Sequence, residues 1–203
     1  MKFFKALGMA ISAAVAVTVC LGAGTSSATV LCKATQTPCA ESNRIGAKSL
    51  ISADARIGTL RFETDEGFLL AQCSEGGFVG EVLNPGGATA TVTTGATLSF
   101  GGCSGTVSMV HGGEFEIHHI SSTDNGTLTA RGTLPMLEIK ILNCTYYLPP
   151  GQHVGVVTGS ATSPQVDVQT LLNYASGSGC FEHIVWKATY AITKPSPLYV
   201  GAS

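Results

Sequence analysis

The sequence Cys180-Phe-Glu-His-Ile-Val-Trp-Lys-Ala-Thr-Tyr-Ala-Ile-Thr193 contains the clearest secondary-structure signal in the chain. From Ile184 to Thr193 the residues alternate, and the large side chains of Trp186 and Tyr190 fall on the same face. A period of two predicts a β-strand with one buried face. Because this strand carries the only tryptophan, we expect it to lie at the centre of the core.

The rest of the chain predicts further short strands that are separated by turns. Glu114–Ile120 and Met136–Asn143 also alternate, and Asn84-Pro-Gly-Gly87 and Asp124-Asn-Gly126 are strong turn signals. No helical period stands out after the first residues. We therefore predict an all-β fold, an antiparallel two-sheet β-sandwich stapled by disulfides, with a barrel as the alternative.

The N-terminus has the pattern of an export signal. Lys2 and Lys5 precede an uncharged, largely apolar run, and Ser26-Ser27-Ala28 is a small-residue cleavage motif. Cleavage after Ala28 would leave 175 of the 203 residues and no membrane span in the mature chain. A membrane-spanning helix is the alternative, because the apolar run is close to the lower length limit for one. We expect a secreted or cell-surface protein.

The chain divides into a signal peptide (1–28), a disulfide-stapled N-terminal arm (29–45) and a single β domain (46–203). The mature part has nine basic and thirteen acidic side chains and contains no basic run. Nucleic acid and anionic membrane surfaces are therefore not expected as partners.

Six cysteines remain after signal cleavage. An even number of cysteines in an exported chain predicts disulfides, and six cysteines allow about 15 connectivities. Chain order and strand context favour Cys32–Cys39, Cys73–Cys103 and Cys144–Cys180. The alternative is a metal site, but the chain has no C-x-x-C motif and no paired Cys/His spacing.

The densest polar cluster consists of Glu114, Glu116 and His118. On a strand these side chains share one face, in steps of about 7 Å. With His111 or His153 arriving from elsewhere, they could help to bind a metal ion. The alternative, which we favour, is the solvated face of an amphipathic strand, because two-residue steps rarely converge on one ion.

No catalytic motif is complete, so the sequence favours a protein that is not an enzyme and needs no cofactor. Gly102-Cys-Ser-Gly105 is one residue short of the G-x-S-x-G elbow. A glycosidase pair could still be assembled by the fold from the carboxylates Glu63, Asp65, Glu66, Glu75 and Glu81. The segment Tyr146-Tyr-Leu-Pro-Pro150 could offer a stacking surface for a sugar or peptide, or could cover the end of the β core.

Several short patches carry a resemblance to a known group of proteins. They are Leu31-Cys-Lys33 with Pro38-Cys39, Cys73-Ser-Glu75, Leu98-Ser-Phe-Gly-Gly-Cys103, Trp186-Lys-Ala-Thr-Tyr190 and Pro195-Ser-Pro-Leu-Tyr199. Together they resemble uncharacterised small secreted proteins of soil actinobacteria with a similar cysteine pattern. The resemblance implies export and an extracellular β domain, and it supplies no catalytic residues. The pair His118-His119 is not part of that pattern.

Three classes of function fit these observations. The first is a non-catalytic extracellular or cell-surface domain that binds a glycan or a surface protein, or that has a structural role. The second is a secreted hydrolase acting on glycans. The third is a subunit of a surface assembly joined by strand addition, which a long unpaired edge strand without lysine or proline would favour.

Overall fold

The computed structural model describes residues 28–36, 38–93, 98–131 and 137–203, and within them it contains sixteen β-strands and no α-helix. A single turn of 3-10 helix spans Glu41–Asn43. The strands are β1 (Thr29–Cys32), β2 (Leu50–Ala55), β3 (Arg61–Thr64), β4 (Leu69–Asn84), β5 (Gly86–Gly87), β6 (Ala90–Thr93), β7 (Ser99–Cys103), β8 (Val107–His111), β9 (Glu114–His119), β10 (Gly126–Ala130), β11 (Glu138–Ile141), β12 (Cys144–Tyr147), β13 (His153–Thr158), β14 (Gln165–Ser176), β15 (His183–Lys194) and β16 (Tyr199–Ala202). The all-β prediction is confirmed. The predicted signal peptide lies, except for Ala28, outside the described residues.

Eight of these strands close into an antiparallel barrel. The order around it is β2–β4–β6–β9–β10–β13–β14–β15, and β15 pairs back onto β2. The two-sheet sandwich that we predicted as the main form is therefore corrected to the barrel alternative. The physical reason is that both architectures bury alternate residues of each strand, so hydrophobic alternation cannot distinguish them. The barrel closes because β15 pairs with β2, and alternation within a strand does not reveal that pairing.

The tryptophan strand lies at the centre, as predicted. β15 pairs with β14 on one side and with β2 and β3 on the other. Trp186 and Tyr190 are buried on the same face, and their rings meet edge to face with centroids 6.3 Å apart. Phe62 stacks on Trp186, and Phe78 packs against Tyr190. This aromatic cluster links β3 to the barrel strands β4 and β15 and anchors the core.

Three long strands extend beyond the barrel into a second layer, which we call the outer sheet. The first half of β4 leaves its barrel neighbours and pairs with β3 and β7, and the first half of β15 pairs with β3. The end of β14 pairs with β12, which continues to β11 and β8. The outer sheet therefore has the order β7–β4–β3–β15–β14–β12–β11–β8, with β7 and β8 as its two ends.

Three disulfides join Cys32 to Cys39, Cys73 to Cys103 and Cys144 to Cys180, which is the pairing that chain order favours. The first bond lies in the N-terminal arm. That arm is more regular than its polar sequence indicates, because β1 is buried between β16 and β5. The second bond ties β7 to β4, and the third ties β12 to the loop between β14 and β15.

Candidate functional site

The cluster that the sequence singled out lies on β9. Glu114, Glu116 and His118 share one half-buried face of the strand, while Phe115 and Ile117 point into the barrel. β9 is held between β6 and β10, so the barrel wall fixes the spacing of the three polar side chains. The expected common face is therefore present.

Arg131 occupies the position that a cation would need. Its Nη1 lies 2.9 Å from Glu114 Oε2, and its Nε lies 3.4 Å from Glu116 Oε1. His118 Nε2 lies 3.3 Å from Thr129 Oγ1 and 3.9 Å from Glu116 Oε2. The row is thus a network of ion pairs and hydrogen bonds centred on an arginine, which is typical of the solvated face of a strand.

The other histidines do not complete a metal site. His153 begins β13, opposite Thr129, and His111 ends β8 in the outer sheet. Within residues 28–36, 38–93, 98–131 and 137–203, no group of three or more His, Cys, Asp and Glu side chains is placed to hold a metal ion. Arg131 directly follows β10, the neighbour of β9 in the sheet, so the sequence of β9 alone does not reveal it.

Ser104 has a structural contact in place of a catalytic one. It lies in the turn between β7 and β8, where its Oγ accepts a hydrogen bond from the Gln72 N–H at 3.0 Å. Its own N–H donates to the Gln72 carbonyl at 2.8 Å. These two bonds extend the β4–β7 ladder by one residue, which explains the serine without a nucleophilic role.

Of the carboxylates considered as a glycosidase pair, Glu63 is ion-paired, and Glu75 lies far from Glu81 along β4. Glu63 Oε2 accepts from Lys187 Nζ at 2.6 Å, and Glu63 Oε1 lies 2.8 Å from Arg61 Nε. Glu75 and Glu81 both lie on β4, six residues apart, which corresponds to about 20 Å along a strand. Neither arrangement brings two carboxyl groups to opposite sides of one cleft, as glycoside hydrolysis requires.

The aromatic segment that begins at Tyr146 belongs to the core, in agreement with the covering role. Tyr146 is buried on β12, opposite Tyr174 of β14. Burial raises the pKa of the Tyr146 hydroxyl, and a hydrogen bond with the Phe181 backbone opposes that shift. The phenol therefore holds the β14–β15 loop against the outer sheet and is not available for stacking on a ligand.

The open feature of the molecule is the gap between the two ends of the outer sheet, which we call the open seam. It lies between β7 (Ser99–Cys103) and β8 (Val107–His111). Among the described residues, β7 pairs only with β4 and β8 pairs only with β11. The two strands follow each other through a short turn, and no ladder of hydrogen bonds joins them.

The alternation of antiparallel ladders shows which backbone groups face the seam. The Leu142 N–H donates to the Thr106 carbonyl at 2.7 Å, so the backbone groups of Thr106 point towards β11. In an antiparallel strand these groups alternate between the two sides, so the N–H and C=O groups of Val107 and Met109 point towards the seam. The bond from the Ser104 N–H to Gln72 assigns Cys103 and Gly101 to the seam in the same way. Within the described part of the chain, each side of the seam therefore presents backbone N–H and C=O groups that take part in no strand ladder.

The chain has no recognisable relative in the comparisons made. No family model matches it, no curated protein matches it, and no solved structure matches it. The fold and the contacts therefore define the class by themselves, a closed antiparallel β-barrel with an outer sheet and three disulfides. Among the described residues, no helix is both long enough and apolar enough to cross a membrane.

Proposed function

We propose that the protein is a secreted, non-catalytic structural domain that assembles with further copies of itself by strand addition at the open seam. One observation carries the proposal. Both seam strands are unpaired on that side within the described part of the chain, and neither contains lysine or proline. Charged residues and proline are the usual protection of exposed edges, and an edge without them is a template for another chain.

A second copy is the partner that the seam fits best. Two identical edges can pair about a twofold axis, so that the same strand supplies both sides of the interface. When β8 pairs antiparallel with its own copy about Met109, Ser108 of one molecule lies opposite Val110 of the other. Val110 is 42% exposed in the single chain, and this pairing would cover it.

Export is part of the proposal and has two supports. The N-terminus has the charge and hydrophobic pattern of a signal peptide. The three disulfides belong to the oxidising environment outside the cytosol. The ion pairs of Glu63, Glu114 and Glu116 with arginines support a role without catalysis over the hydrolase alternative.

The test is the mass of the oxidised mature protein in solution, measured by sedimentation equilibrium over a range of concentrations. We expect a dimer in the micromolar range. The double substitution Ser108→Lys with Val110→Lys should give a monomer, because it places like charges opposite each other across the paired β8 strands. Both positions are exposed, so the fold should tolerate the change.

The matched control is Leu50→Lys with Leu83→Lys. These two side chains are also exposed, but they lie on the barrel wall near the β2–β4 pair, away from the seam. The control adds the same charge and should leave the dimer intact. A wild-type protein that stays monomeric at every concentration would refute the assembly, and so would a dimer that both lysine pairs weaken equally.

A further inference from the structure

The barrel encloses a small cavity that the assembly proposal does not use. Its volume is about 50 Å³, and it is lined by side chains from nearly every barrel strand. Among them are Phe78, Phe115, Val157, Val168, Trp186 and Tyr190. The walls are almost wholly apolar. Apolar cavities in proteins tend to stay dry and to accept small apolar molecules.

Two buried polar atoms on residues that line this cavity make no hydrogen bond of good geometry in the described part of the chain, although the two atoms lie close to each other. They are the Trp186 Nε1–H and the Tyr190 hydroxyl, on residues that are only 2% and 1% exposed. Nearly all buried polar groups in proteins are paired, so two unpaired groups next to one cavity require an explanation. One group is a donor only, while the hydroxyl can donate or accept. Burial raises the pKa of Tyr190, which keeps its hydroxyl protonated.

We infer that the barrel interior is a binding site for a short aliphatic alcohol. The alkyl part would fill the apolar volume, and the hydroxyl would accept from Trp186 and exchange a hydrogen bond with Tyr190. Both polar atoms are covered in the free protein, so the two side chains must move apart when the ligand hydroxyl enters between them. This inference is independent of strand addition, because it rests on the interior of the barrel and not on the seam.

The cavity volume limits the size of the ligand. An apolar cavity of about 150 Å³ accommodates benzene, which has six heavy atoms, so about one third of that volume accommodates two or three. Ethanol has this size. Even the most efficient ligands of two or three heavy atoms bind weakly, which places the expected dissociation constant in the millimolar range.

Trp186 is itself the probe, because it is the only tryptophan and supplies the only indole N–H signal in a proton–nitrogen correlation spectrum. We propose to titrate the oxidised mature protein with ethanol and, separately, with propane, which has the same number of heavy atoms and no hydroxyl. We expect a saturable downfield shift of the indole proton with ethanol. Propane should change the chemical shifts of the amides in the cavity walls, but it should not move the indole proton downfield.

Two variants separate the cavity from the polar pair. Tyr190→Phe should weaken ethanol about tenfold and leave propane binding unchanged, because it removes one hydrogen-bonding group and little volume. Val157→Ile with Val168→Ile should abolish the binding of both molecules by filling the cavity. The amide spectrum of each variant verifies that it is folded, and if the isoleucine pair does not fold, the Tyr190→Phe comparison stands alone.

Several outcomes would overturn the inference. One is an indole shift that rises linearly with ethanol and never saturates. Another is an equal loss of ethanol and propane binding in Tyr190→Phe. A third is a persistent magnetisation transfer from a bound water to the Trp186 indole at every ethanol concentration, which would mean that a buried water satisfies the pair.

Discussion

At the scale of single residues, the unpaired hydroxyl of Tyr190 should reduce the stability of the free protein. An unsatisfied buried polar group costs about 1–3 kcal/mol, and the Tyr190 O–H finds no acceptor among the described residues, since the neighbouring Trp186 N–H can only donate. We expect Tyr190→Phe to raise the free energy of unfolding by about 1 kcal/mol, measured by urea denaturation of the oxidised protein. Such a gain is typical of sites that natural proteins keep less stable for binding.

A second tyrosine provides the control for this prediction. The Tyr174 hydroxyl donates to the Gly177 carbonyl at 2.9 Å, so Tyr174→Phe removes a hydrogen bond that is made. That variant should lose up to about 1 kcal/mol. If both phenylalanine variants are destabilised to the same extent, the Tyr190 hydroxyl has a hydrogen-bond acceptor in the free protein and offers no unpaired donor to a ligand in the cavity.

The same hydroxyl predicts how stability depends on pH. Burial raises the pKa of Tyr190, and the smaller opposing influence is the Trp186 N–H. In the unfolded chain a tyrosine titrates near a pKa of about 10. Because the folded pKa is the higher one, this contribution to stability is complete below about pH 10 and is lost as the pH rises towards the folded pKa.

The free energy of unfolding should therefore fall above about pH 10. The fall should be less steep in Tyr190→Phe, and some slope should remain because burial also raises the pKa of Tyr146. Urea denaturation at a series of alkaline pH values measures both slopes. Parallel profiles for the wild type and the variant would show that Tyr190 does not contribute to the alkaline transition.

At the scale of the strands, Gly155 lies where the backbone of β14 comes close to β13. Gly155 pairs with Val168, and a Cβ at this position would meet the Asp167 carbonyl oxygen and lie 3.0 Å from the Val168 Cα. Backbone atoms cannot move aside without separating the strands. We expect Gly155→Ala to cost at least about 2 kcal/mol of unfolding free energy.

Gly46 is the matched control for this substitution. A Cβ added there has no atom within 4 Å, and the residue has no positive φ. Gly46→Ala should therefore change the unfolding free energy by no more than about 0.5 kcal/mol. Chemical denaturation of both variants checks the pair, and equal effects would mean that the wall of the barrel is looser than its geometry indicates.

The strand β4 explains why the second layer was not predicted. The sequence around β4 has two β-prone runs, Gly67–Cys73 and Phe78–Leu83, and the intervening Glu75-Gly76-Gly77 has little β propensity. In the structure β4 is continuous over Leu69–Asn84. A Cβ at Gly77 would lie 2.7 Å from the Ala53 carbonyl, so glycine is needed where β2 crosses close to β4. The supposed break is thus the junction between barrel and outer sheet.

At the scale of the whole molecule, the sequence predicts what local patterns determine and misses what distant pairings determine. Alternation predicts β15 and its buried face correctly, since that signal depends only on neighbouring residues. The choice of barrel over sandwich depends on β15 meeting β2, which are more than a hundred residues apart. No local signal carries that information.

The candidate sites follow the same rule. The polar face of β9 could be read from the sequence, but Arg131, which fills it, could not. The open seam contains the sequences Ser99–Cys103 and Val107–His111, which lack lysine and proline. That absence has meaning only once these two strands are known to be the ends of a sheet. The cavity likewise needs side chains from seven barrel strands to be brought together.

The loop lengths of the disulfides predict which of them stabilises the whole molecule more. In the chain-entropy description, a bond stabilises more when it closes a longer loop in the unfolded chain. Cys144 and Cys180 are 36 residues apart, whereas Cys32 and Cys39 are 7 apart. Replacing both cysteines by serine should cost about 4 kcal/mol for the first pair and about 2 kcal/mol for the second.

The positions of the two bonds strengthen that order. Cys144 begins β12, so its bond holds the outer sheet to the loop after β14, and Gly177 of that loop packs against Cys144 and Cys180. The bond of Cys32 lies beside β1, which β16 also holds by a full ladder. Calorimetry of the two double-serine variants measures both losses. A larger loss for the Cys32–Cys39 pair would mean that β1 and β16 form only when this disulfide is closed. The barrel would then depend on the N-terminal disulfide more than on Cys144–Cys180, which closes the longest loop.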